Sequence, residues 1–208
     1  MSQKIIVYWV KHQRKQKNFG DYRKGQRRLA DEILNHDLTN RYGIELNREK
    51  IRLGVWGKPY IEGMEGYHYN ISNTDGMVVC AVSQNPVGVD AERIKRLRPA
   101  VLKKCCTSQE QEYISGAGKE KEEERFFQLW TLKESYIKMT GEGMRFPMAE
   151  AEFWLEEQEG SDHSEIRCRQ QGWFAQRQQE DYWISVCSGS KAEIQWVEWQ
   201  EGMENIPL

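Results

Sequence analysis

Apolar residues change their period several times along this chain, and each change marks an element. Residues 4–10 are rich in Ile, Val, Tyr and Trp with only weak alternation, which predicts a strand. From about residue 21 to 42 the positions Leu29, Ala30, Ile33, Leu34 and Leu38 recur at helical spacing, and Gly43 follows as a natural stop. Short strands are expected at 51–56, 67–72, 77–82 and 87–92, the last two joined through Gln84, Asn85 and Pro86 by a hairpin-like turn. Pro99 can open a short helix, and Thr107 with Glu110 three residues on has the capping-box pattern. A second long helix is expected over 119–140, stopped by Gly141. Alternation then returns at 151–155, 164–170, 173–179, 182–186 and 192–199.

Strand, long helix and several strands thus occur twice. This predicts an α+β fold of two similar halves related by a pseudo-twofold, each a long helix on a mainly antiparallel sheet. The halves are placed at 1–87 and 88–208, the first contributing to ligand binding and the second carrying the acidic residues. A cleft between them is a natural ligand site, and two tandem halves make a monomer the expectation.

Composition narrows the classes. With 38% hydrophobic and 30% charged residues in 208, the chain reads as globular, neither disordered nor membrane-embedded. Ile5–Val10 is too short for a signal-peptide core or a membrane span, so a cytoplasmic location is expected. Five cysteines without a Cys-x-x-Cys suggest neither a zinc site nor a disulfide framework. Eight tryptophans spread along the chain suit several packed sheets. The net charge of −2 hides an asymmetry. Residues 11–28 hold eight Lys/Arg (11, 14, 15, 17, 23, 24, 27 and 28) against Asp21, while 149–208 hold thirteen Asp/Glu against four Lys/Arg. A basic stretch suits a phosphate-rich ligand or is a solvated face.

Two acidic clusters carry the candidate chemistry. In Pro86-Val87-Gly88-Val89-Asp90-Ala91-Glu92, strand alternation puts Asp90 and Glu92 on one face, where they repel unless solvated or bridged by a cation. Magnesium takes a few carboxylates plus water and phosphate oxygens. In the second long helix, Trp130, Glu134 and Lys138 are four apart and share a face. Each cluster alone is equally an acidic strand end or a surface ion pair.

Together they resemble the surfactin-type (Sfp-type) 4'-phosphopantetheinyl transferases. The family's hallmarks are (V/I)G(V/I)D-x-E and, downstream, W-x-x-K-E-(A/S)-x-x-K. This chain matches them at Val87–Glu92 and at Trp130–Lys138, behind Gly57-Lys58-Pro59 and a Tyr69-Asn70-Ile71-Ser72 segment that leads into a strand. The resemblance implies that Asp90, Glu92 and Glu134 hold Mg2+ and that Glu134 and Lys138 are catalytic, as base and as charge stabiliser. It further implies that Arg27, Lys58, Ser72, Asn73, Lys133 and Lys138 contact coenzyme A. The implied reaction moves 4'-phosphopantetheine from coenzyme A to a serine of an acyl or peptidyl carrier protein, releasing 3',5'-ADP.

One position departs from the family. Its Ser-His is Ser72-Asn73 here, so an amide stands where the family has an imidazole. The expectation is weaker or less pH-dependent coenzyme A binding with catalysis intact; the alternative is a coenzyme A-binding member with lost or altered transfer. Residues 93–118 set Ile94, Leu97, Val101 and Leu102 among six Lys/Arg, either a docking face for an acidic carrier domain or an ordinary amphipathic connector. A nucleic-acid module built on the basic stretch would leave the acidic residues without purpose. No Walker-type glycine loop supports a nucleotide kinase.

Overall fold

The computed structural model describes residues 3–13, 18–156 and 165–203. Strands β1 (Gln3–His12), β2 (Ile51–Leu53), β3 (Pro59–Ile61), β4 (His68–Thr74), β5 (Gly76–Ser83) and β6 (Val87–Arg93) come first, with helix α1 (Phe19–Tyr42) after β1. Helices α2 (Pro99–Cys105), α3 (Ser108–Ser115) and α4 (Glu122–Thr140) follow, then β7 (Phe153–Glu156), β8 (Glu165–Cys168), β9 (Trp173–Gln179), β10 (Tyr182–Ser188) and β11 (Ala192–Glu198). Asn18 accepts from the Gly20 amide to start α1, and Gly43 ends it with φ 65°. Thr107 and Glu110 form the expected capping box at α3.

The layers run α1, sheet, sheet, α4. The first sheet has the order β11-β1-β5-β4, with β11 parallel to β1 and the other pairs antiparallel; the second has the order β6-β10-β9, all antiparallel. Leu29, Ile33, Leu34 and Leu38 of α1 pack on Ile6, Tyr8, Val78, Cys80 and Val82. The other face of that sheet, with Ile5, Val7, Met77 and Val79, meets Val87, Val89, Ile184 and Val186 of the second sheet. Strand β1 is therefore buried on both faces, which explains its weak alternation. Around α4, the residues Phe126, Leu129, Leu132 and Ile137 join Phe153 and Phe174 in a third cluster. The α+β architecture is as expected, with each long helix covering the outer face of one sheet. All five cysteines are free thiols, four of them buried. No described helix is long and apolar enough to cross a membrane.

One local expectation is corrected. Strands β5 and β6 do not form a hairpin; Gln84–Pro86 carries the chain from one sheet to the other. The hairpin is β4–β5, turned at Asp75 and Gly76, with Gly76 at φ 88°. Side chains of β4 take the place that a partner strand would hold against β6: the Asn70 Oδ1 accepts from the Val89 amide (2.9 Å) and the Ser72 Oγ from the Ala91 amide (3.1 Å). The C-terminal strand β11 also completes the first sheet, a long-range pairing that no local pattern encodes.

Candidate active site

The site lies where α4 crosses β6. Gly88 makes that crossing possible: a Cβ there would stand 2.0 Å from the Ser135 carbonyl oxygen and 2.4 Å from the Met139 nitrogen. With helix backbone resting directly on strand backbone, Glu134 and Lys138 hang over the same face of β6 that presents Asp90 and Glu92. The opposite face, with Val87, Val89 and Ala91, is sealed in the core between the sheets. One turn earlier on the same face of α4, Thr131 Oγ1 and Ser185 Oγ meet at 2.6 Å, and Gln176 Nε2 donates to Ser185 Oγ at 2.7 Å, so the helix is also seated on β9 and β10.

Asp90 is only 4% exposed. Its Oδ1 accepts from Ser72 Oγ (2.8 Å) and from Lys138 Nζ (2.7 Å), while its Oδ2 is buried with no hydrogen-bond partner. Ser72 Oγ also accepts from Lys138 Nζ at 3.1 Å, which makes Ser72, Asp90 and Lys138 one closed triangle. Glu92 Oε2 accepts from Thr74 Oγ1 (3.1 Å) and Lys95 Nζ (2.9 Å). Burial, followed by the negative charges of Asp90 and Glu92, raises the Glu134 carboxyl to about 7, with Lys138 pulling the other way. The three carboxylates thus feel one another. Among the described residues, no three acidic, histidine or cysteine side chains are set closely enough to hold a cation as they stand. The donor chemistry nevertheless fits one: a buried carboxylate oxygen of Asp90 lacks a partner, and burial together with the charges of Asp90 and Glu92 raises the neighbouring Glu134 carboxyl to about 7.

The other expected residues are distributed unevenly. Ser72 belongs to the centre. Asn73 is its neighbour on β4 and faces the opposite side of the sheet, toward α1, with a buried Oδ1 that has no partner. Lys58 donates to the Val87 and Met139 carbonyls (3.0 and 2.8 Å), tying the Gly57–Pro59 loop to the start of β6 and the end of α4; burial lowers its pKa to about 8. Arg27 is exposed on the first turns of α1. Of the basic stretch, Arg14, Lys15 and Lys17 lie outside the described residues. Lys133 is corrected. It is fully buried, pairs with Glu110 at 2.8 Å and donates to the Ala151 carbonyl at 2.6 Å, inside the third core cluster. Adjacent helical residues point about 100° apart, and here Lys133 turns into the core while Glu134 faces β6.

Sequence reasoning did not tie Thr74 or Lys95 to Glu92, which both of them anchor. Alternation from Ser72 marks Thr74, and i, i+3 proximity marks Lys95. It also passed over Trp56, half exposed beside Lys58 with the Arg145 guanidinium 4.0 Å from its ring centroid. From Glu92 outward runs a cleft of about 830 Å3 lined by Lys95, Arg96, Leu97, Val101, Phe127 and Trp130. It brings residues of the 93–118 connector to the edge of the acidic centre.

Residues 86–187 match the family model of the 4'-phosphopantetheinyl transferase superfamily. The chain carries a domain of that superfamily. The match spans both acidic clusters and the connector between them. The 4'-phosphopantetheinyl transferase gsp of Aneurinibacillus migulanus is 36% identical over 129 residues, covering 60% of this chain and 53% of that protein. The 4'-phosphopantetheinyl transferase Sfp of Bacillus subtilis (strain 168) is 28% identical over 120 residues, covering 58% of this chain and 54% of that protein. The chain therefore spans about half the length of the curated relatives it matches. Among solved structures, the holo-[acyl-carrier-protein] synthase of Thermotoga maritima overlaps 49% of this chain and 61% of its own at a TM-score of 0.39 and 15% identity, too distant to carry weight.

Proposed function

We propose that this protein transfers 4'-phosphopantetheine from coenzyme A to a serine of an acyl or peptidyl carrier protein. The observation that supports it most is the Gly88 crossing, which sets Glu134 and Lys138 over a buried Asp90 with one unpartnered oxygen. Asp90, Glu92 and Glu134 would hold Mg2+, which when bound neutralises the coenzyme A pyrophosphate and polarises the phosphorus under attack. Glu134 accepts the proton of the carrier serine. The serine oxygen forms a bond to the phosphorus that bears the pantetheine arm, and the bond from that phosphorus to the bridging oxygen breaks, with the electron pair leaving on 3',5'-ADP. Lys138 stabilises the charge that develops on the phosphate oxygens. A carboxyl raised to about 7 by burial and by its acidic neighbours suits a base that works at neutral pH. Arg27 and Lys58 supply positive charge toward the nucleotide, and Asn73, on the α1 side of β4, contributes to binding without entering the chemistry. Lys95, Arg96 and Arg98, set among Leu97, Val101 and Trp130, form the face on which an acidic carrier domain docks.

Incubation with coenzyme A, Mg2+ and a panel of apo carrier domains, followed by intact mass, tests the reading. At least one carrier should gain a phosphopantetheine group on its serine, and EDTA should abolish the gain. A protein that binds coenzyme A yet modifies no carrier would favour the alternative of lost or altered transfer.

A further inference from the structure

Glu92 is held by one oxygen between two rivals. Thr74 Oγ1 pulls Oε2 toward the β4 side and Lys95 Nζ, exposed, pulls the same atom toward the outer cleft. The position of Thr74 is therefore consequential, and Thr74 is not free. It ends β4 at the Asp75–Gly76 turn, which is pinned from three directions. Gln26 of α1, 1% exposed, donates Nε2 to the Thr74 carbonyl at 2.6 Å. Tyr22, one turn earlier, accepts from the Gly76 amide at 2.7 Å and donates to the His12 carbonyl at 3.2 Å. From the second sheet, Tyr182 Oη donates to the Asp75 carbonyl at 2.8 Å and stands where a Gly76 Cβ would lie. Nothing in the reaction calls for a buried glutamine on α1. Among the described residues its Nε2 donates to the Thr74 carbonyl and, at 3.3 Å, to the Tyr22 hydroxyl, while its buried Oε1 has no hydrogen-bond partner.

We propose that Gln26 is a positioning residue for the acidic centre: by fixing the end of β4 it aims the Thr74 hydroxyl at Glu92 and keeps that carboxylate turned inward against the pull of Lys95. The helix whose first turns carry Arg23 and Arg27 is thereby linked to a candidate metal ligand through two hydrogen bonds. Without Gln26 the turn keeps its tyrosine anchors, so the fold survives, while the strand end loses the anchor nearest Thr74. Glu92 then spends more time on Lys95.

The inference rests on the metal site proposed above, and direct binding separates the two. Mn2+ binding to the protein with coenzyme A present is measured by electron paramagnetic resonance for wild type, Gln26→Met, Thr74→Val, Thr74→Ser and the Gln26→Met/Thr74→Val double variant, each checked for an unchanged urea transition. The expectation is about tenfold weaker binding in Gln26→Met and Thr74→Val, near wild-type binding in Thr74→Ser, and a double variant no weaker than Thr74→Val alone. Full additivity of the two losses, or unchanged binding in Gln26→Met, overturns the inference and leaves the metal site standing. No Mn2+ binding by wild type overturns the metal site itself and the inference with it. Should Gln26→Met fail to fold, Tyr22→Phe, which removes the hydroxyl that accepts from Gly76, tests the same anchorage of the turn: weakened Mn2+ binding supports it and unchanged binding refutes it.

Discussion

The two long helices cover their sheets in opposite ways. Helix α1 stands on large apolar side chains, Leu29, Ile33, Leu34 and Leu38, and buries Asp37 with Tyr8 and Arg41 as partners. Helix α4 is sunk onto Gly88 with its backbone in contact with the strand. Side chains hold α1 away from its sheet, so most of its sheet-facing residues serve packing, and its first turns carry the exposed Arg23, Lys24, Arg27 and Arg28. Close approach lets α4 bring short-range electrostatics to bear, and a carboxylate, an ammonium and two strand carboxylates share one partly buried space. Low dielectric strengthens those interactions and makes their balance sensitive to single atoms.

The largest expected effect is on the charged face of α4. Glu134→Gln should lower carrier modification by about 10²–10⁴-fold if Glu134 is the base. It should also reveal itself without substrate. A carboxyl raised from 4.5 to about 7 stabilises the fold fully below the unfolded value, and that contribution is lost as pH rises through about 7. The metal-free wild type should therefore have a lower urea midpoint at pH 8 than at pH 5, and Glu134→Gln should reduce that difference. An unchanged pH dependence in the variant would remove Glu134 as its source.

The next test strikes the contact between helix and strand. Gly88→Ala must push α4 away, because the obstacle is helix backbone and not a movable side chain; a loss of about 3 kcal/mol is expected. Leu34→Ala should cost α1 about as much, within the 2–5 kcal/mol usual for such a truncation. The two differ in consequence. At protein concentrations and temperatures where both remain folded, Gly88→Ala should lose Mn2+ binding and transfer, and Leu34→Ala should keep both. Equal retention would mean that the close approach of α4 is incidental to the site.

Much of this was legible in the sequence because the informative spacings are local. The two-residue repeat placed Asp90 and Glu92 on one face, the four-residue repeat placed Glu134 and Lys138 on another, and Gly43 and Gly141 ended the long helices. What stayed hidden depends on distant partners. Lys133 reads like Lys138 until Glu110, seen in the sequence only as a helix cap, is found beneath it as a buried counter-ion. Gln84–Pro86 reads like a hairpin until the polar side chains of β4 are found occupying the edge of β6. Gly88 reads as part of a motif, and only the crossing shows that its missing side chain is what the motif requires.

The smallest expected effect lies on the α1 side of the comparison. Asn73 is next to Ser72 in sequence and on the opposite face of β4, under α1, so it lies outside the triangle of Ser72, Asp90 and Lys138. Its Oδ1 is buried and unpartnered, whereas its amide nitrogen can donate to an anion. An imidazole at this position adds a donor that becomes charged near neutrality, and charge-assisted hydrogen bonds to phosphate are the stronger kind. Asn73→His should therefore lower the KM for coenzyme A a few-fold below pH 6.5, with the gain fading as pH rises, and should leave kcat and Mn2+ binding unchanged. A change in kcat would place Asn73 with α4 and the acidic centre. An unchanged KM at every pH would mean that the α1 face of β4 does not meet the phosphates, and that the basic first turns of α1 bind them, if at all, from elsewhere.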